Sequence, residues 1–265
     1  MKKIREPIYF YILKDWYRGN MPVFYASNKY DFQNTLENNY HSIKNEIIEK
    51  YSSDSKIFIP QHAPPPYKFD NDRWKICTFY GFLLKYENTL KEFPVIAEVL
   101  KKIPHLITAQ ISVLEPHTKI KPHFGSSNAV IRSHLAIQIP GKLPELGMKM
   151  LHEERSWEEG KVVSFCETYR HYVWNNTDYP RIVLLIDTIH PDYIDKKYFI
   201  CGGVLSSQVL KIFVEKLPFT KTLPDFITLI IHRFFTYALI VIVYLQNIFE
   251  INIANISEKL KRKHT

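Results

Sequence analysis

Cysteine is scarce in this 265-residue chain, which has only Cys77, Cys166 and Cys201, an odd number without C-x-x-C spacing. That argues against a disulfide framework and suits a reducing compartment. None of the three sits in a pattern that marks a nucleophile. Charge is also limited, at 23% of residues against 46% hydrophobic and 14% aromatic, which excludes a disordered chain and allows a substantial core. Acidic residues are the minority sign, 27 against 35 basic, for a net charge of +8. Such an excess can steer acidic partners or mean nothing beyond solubility; no nucleic-acid partner is expected. No signal peptide is expected either: the apolar run after MKKIRE is short, Lys14 and Asp15 end it, and no small-residue cleavage site follows. Long hydrophobic runs are confined to one stretch near the C-terminus.

Residues 1–30 are aromatic and basic without a period, which reads as an irregular arm packed on a domain. From Asp31, the expected N-cap, the period turns helical, with Leu36, Tyr40, Ile43 and Ile47 on one face. YSSDSKIFIPQHAPPPYKFDND, broken by four prolines, is a loop that leaves His62 exposed. RWKICTFYGFLLKY reads as strands and PVIAEVLKKI as a short helix stopped by Pro104. Short strands punctuated by Pro, Gly and Asn then continue to Pro191, the pattern of an all-β sandwich or barrel. In VIRSHLAIQI the alternation sets Arg132 and His134 on one face, with Ser133, Leu135, Ile137 and Ile139 on the other. A core strand rarely buries both a charge and an imidazole without partners, so that pair reads as a site.

Beyond Pro191 the character changes. Residues 192–204 read as a polar connection ending in CGGV, and LSSQVLKIFVEKL as an amphipathic helix. Phe226–Leu245 is twenty mostly apolar residues, enough in length for a bilayer core of about 30 Å. His232 and Arg233 interrupt it, and an arginine at a span's centre costs about 2.5–3.5 kcal/mol on insertion scales. The final EKLKRKHT has three net positive charges, which favours an anionic membrane surface. Two readings stand: membrane association through residues 226–265, or a C-terminal helix packed on the domain. The chain thus divides into an arm (1–30), a catalytic domain (31–200), expected in the cytoplasm, and a C-terminal helical region (201–265).

The chemistry lies between Gln110 and Pro191. His123 and His171 stand 48 residues apart at the edges of apolar alternating runs, and Arg181 follows ten residues after the second. Each histidine alone reads as structural. Together with the arginine they form what an iron-dependent oxygenase needs: two neutral imidazoles for Fe(II), and a guanidinium for the far carboxylate of a 2-oxoacid.

Five ordered motifs, SVLEPHTKIKPHFGSSN, IRSHLAIQIP, WEEGKV, FCETYRHYVWN and RIVLLIDTIHP, resemble the catalytic domain of the aspartyl/asparaginyl β-hydroxylase family. A weaker likeness reaches upstream to about Phe24. The resemblance implies a double-stranded β-helix, or jelly-roll, supported by N-terminal helices. It also implies Fe(II), 2-oxoglutarate as cosubstrate and O2, with ascorbate as a reductant. It makes His123 and His171 the metal ligands and Arg181 the partner of the distal carboxylate, with Ser112 as an added hydroxyl donor. Arg132 and His134 would meet the proximal carboxylate and the substrate's acidic group; the alternative for them is a structural ion pair. Many iron oxygenases carry a carboxylate two residues after the first histidine. Here that position is Gly125, as in the family, so two histidines would hold the metal alone.

Trp157, Gly160, Lys161, Asp187 and His190 match the family with packing and capping roles. Phe124, Cys166-Glu167 and Lys85 depart from its pattern. The expected reaction is hydroxylation of an Asp or Asn β-carbon in a peptide or protein. A lipid (lipid A acyl chain) hydroxylase and a non-catalytic β-barrel binding module are the alternatives.

Overall fold

The computed structural model of the chain describes residues 5–11, 16–61, 73–217, 220 and 222–249. His62 and the basic C-terminal segment lie outside the described residues. The N-terminal arm is irregular and lies along the domain. Its backbone is tied by Tyr11 N donating to Ser126 O (3.2 Å), Cys166 N to Val23 O (3.1 Å) and Tyr25 N to Ser164 O (2.9 Å).

Two helices follow, α1 (Asp31–Asn38) and α2 (Tyr40–Ser53). The cap of α1 is Tyr30, not Asp31: Tyr30 N donates to Gln33 Oε1 at 2.9 Å, and Asp31 is the first helical residue. A carboxylate there suits the positive end of the helix without capping it. Leu36, Ile43 and Ile47 are fully buried, and each such side chain contributes about 1.5–3 kcal/mol.

The chain then runs β1 (Ile59–Pro60), β2 (Trp74–Gly81), β3 (Leu84–Lys85), α3 (Glu87–Glu92) and α4 (Pro94–Leu100). Eight strands follow: β4 (Leu106–Leu114), β5 (Thr118–His123), β6 (Val130–Gln138), β7 (Leu146–Met150), β8 (Glu153–Arg155), β9 (Val162–Phe165), β10 (His171–Asn175) and β11 (Arg181–Ile189). Two antiparallel sheets result. One has seven strands in the order β1-β2-β4-β11-β6-β9, with β3 on β2; the other runs β5-β10-β7-β8. This is the jelly-roll expected from the sequence.

All nine residues of β11 are buried because the strand is central and covered on both faces. Ile182, Leu184 and Ile186 face outward and pack with Leu36, Ile43, Ile47, Phe93 and Ile96 of the helices. Arg181, Val183, Leu185 and Asp187 alternate to the inner face. Between the sheets, Leu114, Ala136 and Phe165 meet Ile120, Met148, Met150 and Val173. A register shift at Ile182/Val183 turns Ile139, just past β6, toward this inner cluster rather than away from it.

The connection expected at 192–204 is shorter than the sequence suggests. A 3-10 turn (Pro191–Lys196) leads into α5 (Lys197–Lys216), and α6 (Asp225–Phe249) returns against it. Ile200, Cys201, Val204 and Leu205 of α5 and Val243 of α6 join Ile107, Ala129, Val130 and Ile189 in one cluster. The segments Pro191–Val214 and Asp225–Gln246 are long and apolar enough to cross a membrane, by length and composition.

Candidate active site

His123 ends β5 and His171 begins β10. Antiparallel pairing sets them opposite each other, with ring centroids 4.1 Å apart. The Nδ1 of His123 donates to Lys121 O (2.9 Å), and that of His171 to Tyr169 O (2.7 Å). A carbonyl only accepts, so both rings carry their proton on Nδ1 and their lone pair on Nε2. Burial pushes His123 down to about 4 and His171 well below the ordinary histidine value, with Arg132 adding to both shifts. Neutral imidazoles with a fixed tautomer are the form that metal ligation requires. Among the described residues, no group of three or more His, Cys, Asp or Glu side chains could hold a metal ion.

Arg181 opens β11 and is 1% exposed. Its Nε and Nη1 are buried and have no hydrogen-bond partner among the described residues. Its guanidinium lies over the Trp157 ring at 5.1 Å. Burial lowers its pKa to about 9, still on the charged side of neutrality. His134 is buried nearby; burial drives its pKa well down, and the Arg181 and Arg132 charges add to the effect. Neither of its ring nitrogens, nor Trp157 Nε1, has a partner among the described residues. The His134 ring stands edge-on to Phe165 (5.0 Å) and is stacked near Trp157 (6.1 Å). Ser112 pairs with Val183, so it shares the inner face and stands diagonal to Arg181; its hydroxyl accepts from Trp74 Nε1 at 2.9 Å. Five buried nitrogens of Arg181, His134 and Trp157 without a partner among the described residues fit a polar, anionic ligand.

Arg132 is differently placed. Its Nε and Nη2 donate to the two oxygens of Asp187, each at 2.8 Å, and its Nη1 lies 2.5 Å from Glu167 Oε2. Burial opposes its charge, but the two carboxylates outweigh it and raise the pKa. Burial likewise raises the pKa of Glu167, against the pull of Arg132. Glu167 also explains Gly125. A Cβ on Gly125 would come within 2.3 Å of Glu167 Cγ, so the side chain of Glu167 fills the room that an aspartate at 125 would need.

At the rim, Phe124 stacks on Tyr11 (5.4 Å) and meets Trp16 edge-on (5.4 Å), docking the arm beside His123. Lys211 of α5 reaches the same place, with Nζ 5.8 Å from the Tyr11 ring centroid. The structure therefore gathers His123, His171, His134, Arg181 and Ser112 on the inner faces of the sheets. It adds Trp157, Asp187 and Glu167, to which the sequence had given packing roles or none, and Lys211 from outside the barrel. Asp187 was within reach of the alternation rule, lying an even six residues from Arg181; Glu167 and Lys211, in a loop and a distant helix, were not.

An ornithine lipid ester-linked acyl 2-hydroxylase of Rhizobium tropici is 31% identical over 175 residues, 65% of this chain and 62% of that protein. The aspartyl/asparaginyl beta-hydroxylase of Homo sapiens is 28% identical over 163 residues, 60% of this chain and 21% of that protein. An aspartate beta-hydroxylase domain-containing protein 2 of Xenopus tropicalis is 27% identical over 185 residues, 63% of this chain and 46% of that protein. The chain therefore spans less than two thirds of each of these relatives. The sequence profile of the aspartyl/asparaginyl beta-hydroxylase family matches residues 37–191, more than half of the chain and all of the barrel, and the chain belongs to that family of hydroxylases.

Proposed function

We propose that this chain is an Fe(II)- and 2-oxoglutarate-dependent dioxygenase that hydroxylates the β-carbon of an aspartyl or asparaginyl residue in a peptide or protein. The observation that carries this is Arg181, a buried cation on the inner face of the large sheet with two donors that have no partner among the described residues, while two neutral, tautomer-fixed histidines stand on the other sheet. A buried charge is costly until a counter-charge arrives. A guanidinium matches a carboxylate through two parallel hydrogen bonds.

In this reading His123 and His171 would hold the iron through Nε2. Arg181 would receive the distal carboxylate of 2-oxoglutarate, with the Ser112 hydroxyl beside it, and His134 would offer an N–H to the proximal carboxylate. When bound, iron with its cosubstrate and O2 supplies the oxidising power for inserting oxygen into an unactivated C–H bond. Arg132, engaged by Asp187 and Glu167, acts by holding those carboxylates in place rather than by meeting the cosubstrate. Trp157 and Phe165 wall the space and keep water from the buried donors.

Arg181→Met tests the assignment. The dissociation constant for 2-oxoglutarate, measured by calorimetry, should rise roughly ten- to a hundredfold, since a hydrogen bond to a charged group contributes about 1.5–3 kcal/mol. Co(II) binding without cosubstrate should be unchanged. Weakened metal with an unaltered cosubstrate requirement would overturn it.

A second reading, hydroxylation of a membrane lipid, is favoured by the apolar hairpin α5–α6, which packs on the barrel and carries Lys211 to the site's rim. Succinate release assayed against acidic peptides and against lipid vesicles separates the two.

A further inference from the structure

The two faces of α6 differ. Phe226, Ile230, Phe234, Tyr237, Val241 and Leu245 recur at helical spacing and are 40–68% exposed. His232, Thr236, Val243 and Gln246, on the other face, are 5% exposed or less. The exposed stripe is ~29 Å long at about 1.5 Å per residue. Ile212 and Phe213 of α5 extend it, at 52% and 41% exposure. Apolar patches of this extent mark an interaction surface.

We infer that the α5–α6 hairpin lies flat in the surface of an anionic lipid bilayer, the α6 stripe in the acyl boundary and the barrel outside the hydrocarbon. The inference rests on the membrane contact of the second reading above and is independent of the iron chemistry. Charge selects the occupant. Exposed Arg233 stands within the stripe, Lys211 and Lys216 flank it on α5, and the sequence past α6 ends in EKLKRKHT. An apolar stripe edged by basic residues is the pattern of an interfacial helix on anionic lipid.

The inner face of α6 decides between lying on the bilayer and crossing it. His232 Nε2 donates to Gly203 O (2.9 Å) and Ser206 Oγ to His232 O (2.8 Å), so the histidine that interrupts the apolar run is a clasp between the two helices. Val243 belongs to the cluster formed by Ile107, Val130 and Ile189 of the barrel. Gln246 Nε2 donates to Lys85 O on β3 (3.3 Å). A helix fastened to the domain along this length cannot stand across a bilayer without carrying the edge of the large sheet into hydrocarbon. There, backbone groups have no water to pair with. The arrangement also gives Lys211 a context: it shares α5 with Ile212 and Phe213, and its Nζ stands over the Tyr11 ring that stacks on Phe124, the neighbour of His123. The rim of the site thus adjoins the lipid-facing surface.

The test uses the full chain with sealed vesicles of phosphatidylcholine alone and of phosphatidylcholine with phosphatidylglycerol. The wild type should float with the anionic vesicles. Ile230→Glu/Phe234→Glu, altering exposed positions, should lose at least tenfold in vesicle affinity while binding 2-oxoglutarate and melting like the wild type. Asp225→Cys and Ser257→Cys should both react with an impermeant maleimide added outside. Protection of one of the two would show a span and overturn the inference. So would equal vesicle binding by the double variant, or a wild-type dimer in solution that the double variant converts to a monomer without any vesicle binding. Loss of 2-oxoglutarate binding in the wild type would instead strike the dioxygenase reading and leave vesicle binding untouched.

Discussion

Arg181 and Arg132 are both arginines on the inner face of the large sheet, yet substitution should move the stability of the unliganded protein in opposite directions. Arg132 is the shared partner of two carboxyl groups that are 0% and 1% exposed, so Arg132→Met strands both. Breaking a buried pair on one side costs about 3–5 kcal/mol, which should lower Tm by roughly 10 °C. Arg181 has no such partner among the described residues, so Arg181→Met removes a buried charge without a counter-charge there. The unliganded variant should be about 1–3 kcal/mol more stable than the wild type, and 2-oxoglutarate, expected to raise the wild-type Tm, should not raise the variant's. Calorimetric melts with and without cosubstrate check both; a fall in Tm for unliganded Arg181→Met would assign Arg181 to the core. Gly125 supplies a third test. Gly125→Asp should destabilise by about 1–3 kcal/mol through collision with Glu167, and the added Glu167→Ala should recover most of that loss. Additive losses in the double variant would mean that the two positions do not compete for space.

At the scale of elements, the informative departure is Cys201-Gly202-Gly203. In the sequence two adjacent glycines read as a break, and residues up to 204 as connection. In the structure they lie inside α5, each where a neighbour comes close. A Cβ on Gly202 would stand 2.8 Å from Thr236 O of α6, and one on Gly203 2.8 Å from the Phe10 ring of the arm. Small residues here let two elements approach one helix from both sides. Gly202→Ala should therefore lower Tm more than Gly203→Ala, because a helix backbone cannot yield as a ring on an irregular arm can. Equal melts for the two would contradict this packing. The helix–strand pattern of the rest was legible because its periods are strong. Leu36, Ile43 and Ile47 recur as a helix demands, and RIVLLID is the continuous apolar run of a strand covered on both faces. The bulge that turns Ile139 inward leaves no mark in an alternating pattern.

For the whole molecule, the clusters on either face of the large sheet are built of apolar side chains. Chelator treatment should leave the far-UV circular dichroism unchanged and shift Tm by only a few degrees. That contrasts with small metal domains, which unfold without their ion. Collapse of the spectrum on chelation would show that iron organises the fold.

The sequence by itself determined the β-rich domain, the helices that cover it and the family resemblance that singles out His123, His171 and Arg181. These rest on local periodicity and on motif spacing, which survive in one dimension. Tertiary structure decided the rest: that Arg132 is saturated while Arg181 is not, that Glu167 fills the space over Gly125, and that Lys211 comes from a helix beyond the barrel. It also decided that one face of α6 is fastened to the domain and the other is bare. The physical reason is common to all four. Partnering and burial depend on which distant segments converge, and neither the charge of an arginine nor the hydropathy of a helix states what will stand opposite it.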